Sequence, residues 1–316
     1  MKHTTFFYLV ATAFVLVGAT ACSSGDDGDE PANPTPTNPT ERKLVIGASA
    51  NPWLDESGNA RETRGAVLTT ETLNGFSMHW NLDEFSYADY TVRRGSDGNW
   101  IPTPTNNDSQ VDGAWPSVGN SAPISFYAHT AGTFNYNGGN RYISFSIEEA
   151  SANQSDLLLS RVTNVTYSET KGVIWFTFDH ACAAVEFNIQ ITNKLRTQLG
   201  TDLTVNSVVL KDIANTGDCY YSTGLGNHIG RWGNVSGNAH YTLTQADMKV
   251  GTSPVALPCK TLFIIPQTLG KFAGLEISYT FSDQTNTTAW ISLQGTEWEA
   301  GYLYPINIVL GTTLIK

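Results

Sequence analysis

The chain has 316 residues, of which 15% are charged and 41% hydrophobic, with 28 glycines and 13 prolines punctuating short apolar runs. That balance argues against a helical bundle, a coiled coil and a disordered chain. Against 29 Asp and Glu stand 18 Lys and Arg, and the net charge of -11 repels phosphate backbones, so nucleic acid is not expected as a partner.

The N-terminus reads as an address. Lys2 precedes an apolar run over residues 6–16 that decays into Gly18, Ala19, Thr20, Ala21 and Cys22. The run is shorter than the ~20 residues a membrane-spanning helix needs, and residues 1–21 are predicted to be a cleaved signal peptide. Small residues directly before Cys22 resemble the bacterial lipoprotein signal, in which the thiol is lipidated and becomes the mature N-terminus. Ala19, Thr20 and Ala21 also fit an ordinary A-x-A site, and both readings cut before Cys22. Residues 22–42 are first acidic, then rich in Pro and Thr, a composition that favours extended, solvated chain and suits a tether. What remains is roughly 295 residues, room for two domains at ~100–200 residues each.

From Lys43 the chain alternates strand-like runs with turn clusters. Runs rich in β-branched and aromatic residues occupy 44–46, 76–82, 87–92, 124–129, 142–147, 173–178, 185–191, 203–210, 261–265, 275–281 and 302–310. Glycine-rich clusters at 95–99, 137–140, 170–172 and 224–227 supply the positive φ of tight turns. No segment sustains a helical period over three turns. The prediction is an all-β chain of two tandem antiparallel sandwiches, 43–168 and 169–316, with the boundary near 165–172.

Residues that carry chemistry are sparse. Ser168 to Lys171 matches S-x-x-K, but the motif needs a helix and is predicted to lie in a hairpin. Asp108 to Gly113 begins like a calcium loop, yet Gly119 stands where the closing Glu belongs. The histidines are scattered without zinc-ligand spacing, so neither a metal, a cofactor nor a catalytic site is expected. Asp55 with Glu56, or Glu297 with Glu299, are read as surface charge rather than glycosidase carboxylates. Among Cys182, Cys219 and Cys259, a bridge between Cys219 and Cys259 is one expectation and free buried thiols the other.

Several segments together resemble the fimbrillin family. They are Thr63-Arg64-Gly65-Ala66, Leu73-Asn74-Gly75-Phe76, Trp115-Pro116, Ile124-Ser125-Phe126-Tyr127-Ala128 and Ser155-Asp156-Leu157-Leu158 in the first half. In the second half they are Phe178-Asp179-His180-Ala181, Val185-Glu186-Phe187-Asn188-Ile189, Phe263-Ile264-Ile265-Pro266-Gln267 and residues 298–304. The resemblance implies two transthyretin-like sandwiches on an outer-membrane, surface-exposed lipoprotein precursor whose mature form joins cell-surface fimbriae as a stalk, tip or accessory subunit mediating adhesion. It also implies cleavage after an arginine by a trypsin-like protease, loss of the first strand, and entry of a strand from another subunit.

On this chain the leaving strand is expected at 44–49, carrying Leu44, Val45 and Ile46. Its connection through 51–60 is polar and expected to be an open, protease-accessible loop, with Arg64, next to Gly65, as the cut and Arg61 as the second choice. The donor strand is expected at 302–310, with Tyr302, Tyr304, Ile306, Ile308 and Leu310 on one face; the same run can instead close its own sandwich. Two other classes are set against this one. A glycan-binding lipoprotein of nutrient uptake would use Trp53, Trp100, Trp232 and Trp290 to stack on sugars, and a secreted hydrolase would need a catalytic constellation that the sequence lacks.

Overall fold

Period-two alternation of apolar residues sets which face of each strand is buried. In Ile124–His129 the residues Ile124, Phe126 and Ala128 are buried in one cluster, and Ile174, Phe176 and Phe178 do the same in Val173–His180. The computed structural model describes residues 42–61, 68–81, 87–105, 114–116, 122–137, 139–221, 230–259, 261–281 and 285–311. The expected signal peptide, Cys22, nearly all of the tether and Arg64 lie outside the described residues.

The first half contains β1 (Val45–Ala50), β2 (Trp53–Leu54), β3 (Ala60–Arg61), β4 (Gly75–Asn81), β5 (Tyr87–Arg94), β6 (Trp100–Pro104), β7 (Ile124–His129), β8 (Thr133–Asn137), β9 (Asn140–Ser146), β10 (Leu158–Val165), the one-turn helix α1 (Tyr167–Thr170) and β11 (Val173–His180). Seven of these strands close into a barrel in the order β1-β11-β10-β7-β4-β5-β6. Its interior is filled by Phe76, Met78, Tyr90, Val92, Phe126, Phe176 and Phe178, so it is a packed core and not a channel. β5 and β6 meet through the expected glycine cluster: Gly98 sits at φ +82°, and the Asp97 carboxylate accepts from the Asn99 backbone N–H at 3.1 Å.

Ser168 to Lys171 falls in a capped helical turn that joins β10 to β11, which pair antiparallel at their far ends. The Thr166 hydroxyl accepts from the Glu169 N–H while the Glu169 carboxylate accepts from the Thr166 N–H, and Lys171 ends the turn in the left-handed region. β11 lies beyond the expected boundary at 168/169, yet it pairs with β1 and β10, so the chain leaves the barrel core only after His180.

The second half contains β12 (Ala183–Ile191), α2 (Asn193–Leu199), β13 (Leu203–Ile213), β14 (Thr216–Tyr221), β15 (Gly230–Ser236), β16 (Ala239–Thr244), β17 (Met248–Val250), β18 (Val255–Ala256), β19 (Leu262–Ile264), β20 (Gln267–Thr268), β21 (Gly274–Thr280), β22 (Asn286–Ser292), β23 (Glu297–Trp298) and β24 (Leu303–Leu310). β12 pairs with β18, β19 and β24; β13 pairs with β16, β17 and β21, and β21 with β22. The two sheets share one core, Val185, Phe187 and Ile189 from the first with Val205, Val208, Leu210 and Ile277 from the second. A further sheet, β15-β14-β9-β8, adds Ile143, Phe145, Cys219 and Tyr221 to that core and lies against the outer face of the barrel, where the Tyr221 hydroxyl donates to the Ala128 carbonyl at 2.9 Å.

Candidate strand-exchange site

β1 is held in the barrel mainly from one side. It runs parallel to β11 over six register pairs, Val45 opposite Val173 through Ala50 opposite Phe178, and touches β6 only at Ile46 opposite Trp100. Leu44, Ile46 and Ala48 are buried and Val45 is exposed, the alternation expected of a strand lying on a core. At ~2 kcal/mol for each large side chain and ~0.8 for a methyl, that burial is worth at most about 5 kcal/mol. Gly47 allows the Trp175 indole to lie across the strand, since a Cβ there would meet the ring.

The connection after β1 is not the open loop expected from its polarity. β2 and β3 form a short hairpin, Trp53 opposite Arg61 and Leu54 opposite Ala60. Asp55 organises its turn: one carboxylate oxygen accepts from the backbone N–H of Ser57 at 3.0 Å and of Asn59 at 2.8 Å, and the other from Arg61 Nε at 3.0 Å. The Asn59 N–H above all holds the Asp55 carboxyl below the ordinary carboxylate range, with the Asn59 amide and the Arg61 guanidinium adding to it. Asp55 is thus a turn residue and not half of a carboxylate pair.

Trp53 is 2% exposed, and its ring stacks on His180 at 4.0 Å and on Phe263 at 6.0 Å. The segment after β1 is therefore pinned by an aromatic anchor belonging to the second core. Arg61 keeps 57% of its side chain exposed while paired with Asp55 at 2.8 Å.

At the other end of the chain, β24 runs parallel to β12 over eight register pairs, from Leu303 opposite Ala184 to Leu310 opposite Ile191. Among the described residues no strand pairs with its second edge. Tyr304, Ile308 and Leu310 are buried and Ile306 half-buried, whereas Pro305, Asn307 and Val309 face out, in agreement with the predicted faces; Leu303 is buried as well. Pro305, which has no N–H to give, is compatible with a strand that has one open edge. Leu54 forms an isolated bridge with Tyr302, and its N–H donates to the Gly301 carbonyl at 3.0 Å. The fold thus brings the hairpin after β1 onto the base of β24.

The four tryptophans expected to stack on sugars do not share a surface. Trp53 is core, Trp100 packs on Phe76 at 5.3 Å, the Trp232 Nε1–H donates to the Ala181 carbonyl at 2.6 Å, and only Trp290 is exposed. Cys182 and Cys219 are free thiols, so the expected bridge between Cys219 and Cys259 is not formed. Burial raises Cys182 and Cys219 well above the ordinary thiol range, as befits core residues and not nucleophiles. Among the described residues no His, Cys, Asp and Glu group has the arrangement of a metal site.

The sequence offered no signal for a buried polar chain between the barrel and the sheet over it. His79 on β4 and His129 on β7 meet Nε2 to Nε2 at 2.9 Å; His79 Nδ1 faces the Asp89 carboxylate at 2.5 Å, and His129 Nδ1 faces the Ala131 carbonyl at 2.8 Å. Phe134 covers His79 at 3.9 Å. The Ala131 carbonyl only accepts, so a neutral His129 carries its proton on Nδ1 and takes a hydrogen bond from His79 at Nε2. Burial, and then the neighbouring His79, push His129 down to about 4 from 6.5. The folded state therefore favours neutral His129. The stability this gives is complete above about pH 6.5 and is lost as the pH falls toward about 4, a change of about 3 kcal/mol. Urea midpoints measured across that range should fall further for the parent protein than for His129→Gln, and parallel curves would refute the assignment.

Comparison with known proteins bears on most of the chain. A fimbrillin-like family model matches residues 61–316. A protein from Parabacteroides distasonis named for cell adhesion is similar with a TM-score of 0.52 at 9% identity, covering 86% of this chain and 90% of the other. A fimbrial protein from Bacteroides vulgatus gives a TM-score of 0.48 at 14% identity, with 87% and 96% covered. No curated protein matches. At 9% identity the Parabacteroides distasonis structure speaks for a shared all-β fold alone, whereas the family match spans most of the sequence, including the barrel from β4 onward and all of β24. The chain belongs to the fimbrillin-like family.

Proposed function

We propose that this protein is a subunit of bacterial cell-surface fimbriae, made as an outer-membrane lipoprotein anchored through Cys22 and joined to its neighbours by strand exchange. The observation that supports this most is that β1 lies ahead of the family-matched region yet fills a place in a barrel whose other strands lie within it. A trypsin-like protease cutting after Arg64, or after Arg61, would sever β1 from the body while Leu44, Ile46 and Ala48 still occupy the groove. Removal of β1 leaves unpaired backbone on β11 beside apolar side chains, a surface that strand addition relieves. The barrel from β4 to β11 is then the accepting part of the subunit.

The donor is β24, and it too is already seated. Withdrawing it from β12 exposes Tyr304, Ile308 and Leu310, a cost that seating the strand in a neighbour's groove must offset. Surface protein run on electrophoresis gels without boiling should give a ladder, and a single band would speak against assembly. Replacing Cys22 with alanine should move the precursor from the membrane to the soluble fraction, because one acyl-bearing residue is the anchor proposed for it. Unchanged membrane fractionation would remove the lipoprotein part of the reading.

A further inference from the structure

A concavity lies away from β1 and β24, where the outer face of β7 and β10 meets the ends of β9, β14 and β15. It encloses about 690 Å³, within the ~300–1,000 Å³ usual for small-ligand sites, and Arg141, Arg161 and Arg231 all line it. In a chain with 18 basic residues and a net charge of -11, three guanidinium groups in one hollow require an account.

None of the three forms an ion pair with a carboxylate among the described residues. Arg141 is held instead by ring faces, its guanidinium carbon 5.0 Å from the Tyr127 centroid and 4.9 Å from Tyr136, while one Nη donates to the Gly139 carbonyl at 3.0 Å. Its Nε is buried with no partner. Arg161 on β10 is the register partner of Tyr127 on β7, and Arg231 on β15 is the register partner of Tyr220 on β14. The hollow therefore sets two rows of tyrosine and arginine side by side, with Thr163 adding a hydroxyl.

Like charges gathered without counter-charge repel one another, and an anion between them reverses the sign of that interaction. Guanidinium forks select flat or tetrahedral oxyanions by paired N–H donors. Tyrosine rings and hydroxyls suit a ligand with a ring and many hydroxyl groups, and the volume holds more than a single ion. We propose that this concavity binds an acidic saccharide, its carboxylate or sulfate group on the arginines and its ring against Tyr220. The site does not depend on strand exchange, so either reading stands or falls without the other.

The test is calorimetric titration of the purified full-length chain with three probes: a galacturonic acid disaccharide, a sulfated chondroitin disaccharide, and lactose as a neutral control. At least one acidic probe should bind about tenfold or more tighter than lactose, and weaken as salt is raised. Binding of only the first assigns a carboxylate, and of only the second a sulfate. Arg161→Gln and Arg231→Gln should each weaken that binding about tenfold with an unchanged melting temperature, while Lys211→Gln, whose partner Glu276 lies on another face, should not. Failure of both acidic probes, equal binding of lactose, or equal weakening by Lys211→Gln would each overturn the proposal.

Discussion

Replacing Trp53 with alanine is expected to lower the unfolding free energy by about 3–5 kcal/mol, the usual cost of emptying a large aromatic site. Trp53 is buried between His180 and Phe263, and its loss leaves a cavity that neither ring fills without moving. The effect should extend beyond stability. With the anchor gone, the hairpin of β2 and β3 keeps only its own short ladder, the Asp55 contacts and the bridge to Tyr302. Cleavage after Arg61 should therefore quicken in the folded protein, and the severed β1 segment should leave more readily. Denaturant unfolding and timed digestion followed by mass spectrometry read the two effects separately. A variant as stable as the parent would mean that the Trp53 site collapses without cost. One destabilised but digested no faster would mean that Trp53 is core and no latch.

The second large effect is expected from Ile46→Asp. Ile46 is 5% exposed and points into the barrel core, so aspartate there must bury a carboxylate among apolar residues or expel the strand. β1 rests on one continuous neighbour and a single bridge to β6, which makes expulsion the cheaper outcome. The rest of the barrel keeps its core from β4 to β11, and the vacated groove is then open without proteolysis. The uncut variant is predicted to form oligomers at concentrations where the uncut parent is monomeric, measured by light scattering during size-exclusion chromatography. A monomeric variant that retains its strand signal in circular dichroism would show that the groove, once empty, attracts no strand.

Much of the fold was legible because alternation is a local property. The runs at 124–129 and 275–281 carry apolar residues at every second position, and they appear as strands within a residue of where the pattern places them. The strands the pattern misses are those whose partners lie on another element. Thr133–Asn137 and Gly230–Ser236 hold Asn, Gly and Ser inside the ladder, and become strands only because they pair with β9 and β14. The same limit explains the hairpin after β1. Residues 51–60 read as an exposed loop by composition, but the burial of Trp53 depends on His180 and Phe263, far away in sequence. Likewise nothing in the spacing of His79, Asp89 and His129 announces a chain of contacts that exists only once β4, β5 and β7 are neighbours. For β24 the sequence was ambiguous for a physical reason: a strand that closes its own sheet and one that donates to another subunit need the same buried face.

The central claim is that cutting after Arg64 or Arg61 converts a closed monomer into a subunit able to take a neighbour's strand. The direct measurement is to treat the purified precursor with a trypsin-like protease, identify the new N-terminus by mass spectrometry, and follow the molar mass by light scattering. A covalently tethered β1 has a high effective concentration in its groove, and cleavage removes that advantage over an incoming strand. The predicted result is a new N-terminus at residue 65 or 62 followed by growth of oligomers, with Arg61→Ala combined with Arg64→Ala remaining uncut and monomeric. A parent chain that is trimmed at either arginine, loses β1 and stays monomeric at high concentration would contradict the claim.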